Sequence, residues 1–161
     1  MTAPRLITVS ISDMKFSTRS EEVLVTFSLG SCLGITMYDP RRTIGALMHA
    51  LLPDASASPD KARGNPYMFV SVGVRSMLRK LEGLGAERRN LVIKVAGGAD
   101  MRGDTVFRTG ERNVAALHRV LREERLGLVA EEVGGTIPRT LYLAMETGEV
   151  SVKTFGKKRT L

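Results

Sequence analysis

The spacing of apolar and polar positions marks strands in the first third of the chain and helices after it. Val23-Leu24-Val25-Thr26-Phe27 is rich in β-branched residues and bounded by Leu29-Gly30-Ser31, which predicts a strand. Leu33 to Tyr38 predicts a second, closed by the turn pair Asp39-Pro40. Thr43 to Leu52 is almost continuously apolar, as expected of a strand buried on both faces. From Pro53 to Gly64 the chain turns small, polar and rich in turn formers, which predicts a surface loop. Loops of about a dozen residues inside compact domains are often functional.

Asn65-Pro66 then predicts a helix start, with Asn as the cap and Pro at the first helical position. Phe69, Val72, Gly73, Met77, Leu81 and Leu84 recur at mostly helical spacing, and Gly83 and Gly85 mark the end. Asn90 to Ala96 predicts a strand running into Gly97-Gly98-Ala99. A second helix opens at Thr109, with Val114, Leu117, Val120 and Leu121 inward and Gly127 as its stop. Leu128 to Val133, Thr140 to Met145 and Glu149 to Thr154 predict three final strands, the last two forming a hairpin around Thr147-Gly148. Seven or more strands and two long helices imply an α/β or α+β fold, a layered β-sandwich or sheet flanked by the helices.

Length, composition and charge narrow this picture. A chain of 161 residues suits one domain spanning 1–161, which buries about two thirds of its unfolded surface without staples. One cysteine and two histidines cannot build a structural zinc site, and no His-Glu-x-x-His helix occurs; no metal and no cofactor are expected. The N-terminal segment is too polar beyond Ile7 for a signal peptide, and no window reaches the roughly eighteen apolar residues of a membrane span. These features predict a soluble cytoplasmic protein with no membrane insertion, in a reducing compartment where a lone thiol persists. The net charge is +7, yet basic residues are scattered among acidic ones and tryptophan is absent, which argues against nucleic acid. A positive surface equally suits an acidic protein partner or solubility alone.

Cys32 is the only cysteine, so it acts as a packing residue, a redox group or a nucleophile. A cysteine nucleophile needs a base for its proton and donors for an oxyanion. Cys32 leaves a Gly30-Ser31 turn, where glycine would permit positive φ and the Ser31 and Cys32 N–H groups could converge as an oxyanion or substrate-binding site. His49 follows one strand and one turn later, so adjacent antiparallel strands could set it beside Cys32 as general base and acid. Thr26 could point at His49 and fix its tautomer. Taken singly, each has an ordinary structural explanation: a buried cysteine, a satisfied core histidine, a strand-forming threonine. His118 reads as a partly exposed helix residue without a role. Gly97-Gly98-Ala99 and Gly134-Gly135-Thr136 match no phosphate-loop fingerprint; they read as turns requiring small residues, or as places where a substrate backbone nears the sheet.

The order of motifs is more specific than any one of them. Thr26-Phe27-Ser28-Leu29-Gly30-Ser31-Cys32-Leu33-Gly34, Tyr38-Asp39-Pro40, His49-Ala50-Leu51-Leu52-Pro53, Lys94-Val95-Ala96-Gly97-Gly98-Ala99-Asp100-Met101, Gly110-Glu111-Arg112-Asn113-Val114, Val133-Gly134-Gly135-Thr136 and Thr147-Gly148-Glu149-Val150 follow one another along the chain. In this the chain, from about Leu24 to Lys153, resembles the CheD family of chemoreceptor glutamine deamidases. The resemblance implies a layered α/β sandwich related to cysteine-dependent toxin deamidases. It also implies a protein-glutamine glutaminase with Cys32, His49 and Thr26 as catalytic residues, working through a thioester on chemoreceptor cytoplasmic domains. A CheC-type phosphatase is implied as a further partner. The alternative is a module that binds receptor or CheC with little or no hydrolysis. Three positions depart from the family pattern: Ser71 where an acidic residue is usual, Glu132 for Asp, and Pro138 for a small residue. None belongs to the triad, so they bear on helix-face contacts and partner docking.

Overall fold

A computed structural model of the chain describes residues 3–56, 58–103 and 107–161. Met1 and Thr2 of the N-terminal segment, and Ala57 of the expected loop, lie outside the described residues. The strands are β1 Arg5–Thr8, β2 Asp13–Ser17, β3 Glu22–Leu29, β4 Leu33–Asp39, β5 Ile44–Ala50, β6 Val92–Gly97, β7 Ala130–Val133, β8 Arg139–Ala144, β9 Val150–Thr154 and β10 Lys157–Thr160. The helices are α1 Pro59–Gly64, α2 Val70–Gly83 and α3 Thr109–Glu123.

The strands form two five-stranded sheets, ordered β1-β3-β8-β9-β10 and β2-β5-β4-β6-β7. The second is central, because β4 and β5 are buried at every position, which is why their sequences read as continuous apolar runs. Alternate residues serve different layers. Leu33, Ile35, Met37, Met48 and Ala50 share a core with Val74, Met77, Leu78 and Leu81 of α2 and Leu117 and Val120 of α3. Tyr38 and Leu47 instead join Leu24, Leu141, Leu143 and Val152 of the first sheet. Full burial of each large aliphatic side chain contributes about 1.5–3 kcal/mol. The fold is therefore α+β with the layers sheet, sheet, helices.

Several expectations change in detail. The two long helices lie together on one side of the sandwich; both pack into the core on the outer face of the β2-β5-β4-β6-β7 sheet. Asn65 caps a short 3-10 turn, Pro66–Met68, by accepting from the Tyr67 N–H at 3.1 Å, and α2 starts only at Val70. The helix is held off by Phe69, which is extended, almost fully buried and bridged to Leu52. Within the expected loop the segment Pro59–Gly64 is helical. The second long helix ends at Glu123, before Gly127, with Arg125 in the left-handed region. The additional strands β1, β2 and β10 are short edge strands that bury little, so they leave no apolar alternation to read. The hairpin expected around Thr147-Gly148 is present as antiparallel β8 and β9.

Candidate active site

Between Leu29 and Leu33 the chain leaves the first sheet and enters the second, and Cys32 stands at that corner. Thr26 lies upstream on β3, where a register shift between Thr26 and Leu29 accompanies a left-handed Ser28 with φ 58°. Gly30 does not carry the positive φ expected of it. Its lack of a side chain matters because a Cβ there would come within 2.7 Å of Met101 Sδ.

His49 lies near the end of β5, opposite Gly34 of β4. A Cβ at Gly34 would strike Leu141 and Leu29 and press on Thr26, so glycine lets the two sheets meet here. Across that gap Thr26 Oγ1 and His49 Nδ1 are 2.7 Å apart. The same hydroxyl donates to the Val9 carbonyl, also at 2.7 Å. A threonine has one proton to give, so toward His49 it can only accept, and Nδ1 must carry the hydrogen. Nε2 is then a bare lone pair, buried and without a hydrogen-bond partner.

Cys32 precedes Leu33, which pairs with Ala50, so it sits diagonal to His49 and packs in the same inter-sheet core as Leu47. Diagonal positions of this kind are about 7–8 Å apart at Cα, and no hydrogen bond joins His49 Nε2 to the Cys32 thiol in the resting structure. Burial raises the Cys32 thiol, with a smaller opposing effect from its own backbone N–H, and burial pulls His49 down to about 4. The resting site thus pairs a neutral thiol with a neutral imidazole.

The shift at His49 has a consequence for stability. An unfolded chain protonates this histidine below 6.5, the folded chain only below about 4. Acidification through that window favours the unfolded chain, so stability falls by up to about 3 kcal/mol between those limits and this group removes no more below them. Urea midpoints of wild type and His49→Asn between pH 7 and pH 4 check this, since the asparagine amide can still donate to Thr26. The variant should lose this part of the acid slope; an unchanged slope would assign it elsewhere, for example to Glu132.

The Cys32 turn is held by its carbonyls. Gly30 O accepts from Ala99 N–H at 2.8 Å, Ser31 O from Asn113 Nδ2 at 2.9 Å, and Cys32 O from Gly98 N–H at 2.9 Å. The peptides of this turn are trans, so the Ser31 and Cys32 N–H groups point away from those contacts, and neither makes a backbone hydrogen bond among the described residues. Gly97 has φ 118°, and a Cβ there would lie 2.2 Å from Cys32 O, so the expectation of a turn needing small residues is met at the back of the cysteine.

Asn113 also donates to Leu51 O at 3.1 Å, tying the turn to the end of β5. Arg139, 7% exposed, donates to Gly97 O and Gly134 O and pairs with Glu132 at 2.8 Å. Glu132 also pairs with Arg159. Sequence reasoning missed Asn113 and Arg139, though a signal existed. Asn113 shares the buried stripe of α3 with Leu117 and Val120, and Arg139 shares the inward parity of Leu141 and Leu143.

A cleft of about 820 Å³ opens beside the turn, lined by Ser31, Gly98, Met101, Phe107, Val114 and Gly135 among others. Gly98 of the first glycine pair and both glycines of the second, Gly134 and Gly135, border it. His118 is exposed on its wall, 3.1 Å from Glu131.

Residues 51–154 match the model of the CheD family, described as CheD chemotactic sensory transduction. The chain is 39% identical over 156 residues to a probable chemoreceptor glutamine deamidase CheD of Solibacter usitatus (strain Ellin6076), covering 96% of this chain and 92% of that protein. It is 37% identical over 151 residues to a probable chemoreceptor glutamine deamidase CheD 1 of Syntrophus aciditrophicus (strain SB), covering 93% and 94%. Among solved structures, the Bacillus licheniformis hypothetical protein YfiH aligns with a TM-score of 0.49 at 11% identity, covering 81% of this chain and 59% of that one.

Proposed function

The chain belongs to the CheD family, and from that premise we propose that it is a chemoreceptor glutamine deamidase, one domain over 1–161, with Cys32 as nucleophile, His49 as base and acid, and Thr26 as the group that orients His49. The observation carrying this reading is the spent proton of Thr26. Because that proton goes to Val9 O, His49 presents an unprotonated Nε2 on the face it shares with Cys32.

The steps follow from those atoms. Nε2 takes the thiol proton as Sγ attacks the side-chain carbonyl carbon of a glutamine. The oxyanion is received by the N–H groups of Ser31 and Cys32, the turn that begins at Gly30 being held from behind. The imidazolium gives its proton to the departing nitrogen, ammonia leaves, and a thioester remains on Cys32. Nε2 then takes a proton from water as the oxygen adds to the thioester carbonyl. Collapse expels the sulfur, which recovers its proton from His49 and leaves glutamate. No charge is stored on the resting site, consistent with a raised thiol and a lowered imidazole.

The substrate is the cytoplasmic part of a chemoreceptor, which puts the enzyme in the cytoplasm, with a CheC-type phosphatase as a second partner. No helix among the described residues is long and apolar enough to cross a membrane. Incubating a receptor cytoplasmic fragment with the protein should add about 1 Da per modified glutamine, as –OH replaces –NH2. An unchanged mass spectrum with binding retained would support the purely regulatory module instead.

A further inference from the structure

The β9–β10 hairpin turns on two residues, Phe155 and Gly156, with φ 47° and 82°. Such a turn favours Asn-Gly, and a bulky side chain in the left-handed region is strained. Phe155 gains nothing inside the molecule for that strain, being 81% exposed. Phe27, 47% exposed, points outward from β3 toward the same place. Between them lies a groove of about 310 Å³ lined by Phe27, Ser28, Arg139, Tyr142, Lys153 and Phe155. Lys158 Nζ stands 4.1 Å from the centre of the Tyr142 ring. Lys153 and Lys158 form no ion pair among the described residues, whereas Arg139 and Arg159 are satisfied by Glu132. No helix covers this face, since α2 and α3 pack on the other sheet.

We propose that this aromatic and lysine-lined face is a docking site for the protein substrate, engaging an acidic amphipathic segment beside the glutamine to be modified. The segment sets apolar side chains against Phe27 and Phe155 and carboxylates against Lys153 and Lys158, which face each other across β9 and β10. A second copy of the chain is a poor occupant, because a two-fold contact would bring the same unpaired lysines together on a protein of net charge +7. The position favours substrate. Phe27 and Ser28 run directly into the Cys32 turn, and Arg139, on the groove wall, bonds Gly97 O next to the Gly98 that holds Cys32 O. A chain gripped there is led along β3 toward the Cys32 turn. This inference rests on the reading of Cys32 as a nucleophile toward protein glutamine.

The test compares wild type, Phe155→Asn and Lys153→Glu for binding to a receptor cytoplasmic fragment, by calorimetry, and for ammonia release from it. Asparagine suits the turn, so Phe155→Asn should keep or raise Tm. Each variant should weaken Kd and raise KM about fivefold or more, with kcat unchanged. The effect of Lys153→Glu should shrink at high salt. Deamidation of a short glutamine peptide, too small to span both sites, should be the same in all three proteins. Unchanged Kd and KM in both variants would overturn the proposal. So would losses seen only on single-stranded DNA or anionic vesicles, which would reassign the face to those ligands. Failure of the deamidase reading shows differently: wild type would release no ammonia, while the binding arm would still report whether the face holds the fragment.

Discussion

Cys32→Ala should abolish ammonia release from a receptor fragment, a loss of at least about 10⁴-fold in kcat, while the protein stays folded and still binds the fragment. The size of the loss follows from what alanine removes. No other thiol exists in the chain to form the thioester. Water activated by His49 would have to attack the amide directly, with only the turn's N–H groups to help. The fold should survive because the change deletes one sulfur from a core otherwise made of Leu47, Leu141, Leu143 and their neighbours. The cost is about 1 kcal/mol, or roughly 2–4 °C in Tm for a chain of this size. Ammonia release and a thermal melt on the same preparation suffice. A variant that released ammonia at the wild-type rate would remove Cys32 from the reaction.

Thr26→Val should lower kcat by about 10²-fold with little change in KM. Valine keeps the shape and takes away one oxygen with two duties. His49 loses the acceptor that holds its hydrogen on Nδ1, so the imidazole can turn or change tautomer and Nε2 ceases to be a dependable base. The Val9 carbonyl loses its donor, and two buried polar groups are left unsatisfied, at about 1–3 kcal/mol of stability. A purely structural role for Thr26 would show the stability loss with kcat preserved. Thr26→Ser decides the matter, because it restores the hydroxyl without the methyl and should recover kcat to within a few-fold of wild type. If serine fails while valine and serine melt alike, the hydroxyl is not what His49 needs.

These three residues were legible as candidates because they fall in strands and turns whose composition is distinctive, and because seven blocks occur in a recognisable order. Their geometry was not. The proton inventory of Thr26 depends on Val9, next to β1, an edge strand of exposed residues that leaves no pattern in the sequence. Nothing local between Leu29 and Leu33 announces that the chain changes sheets, so the strands could be counted but not sorted into two layers. β4 and β5 were readable because they are covered on both sides, whereas β10 reads only as a basic tail. Phe69 shows the same limit in a helix. Helical spacing includes it, yet bridging to Leu52 holds it extended and delays α2 to Val70. Asn113 was visible as one polar residue in an apolar stripe, but its task required knowing that Ser31 O and Leu51 O come together there.

Thr26 and His49 belong to different sheets, and Cys32 sits where the chain passes between them. A nascent or partly folded chain can form either sheet without bringing threonine to imidazole. In that state Cys32 is an ordinary solvated thiol with no aligned base beside it. On the proposed reading of Cys32 as the nucleophile, its base is aligned only once the two sheets have docked, which makes chemical competence a property of the finished sandwich.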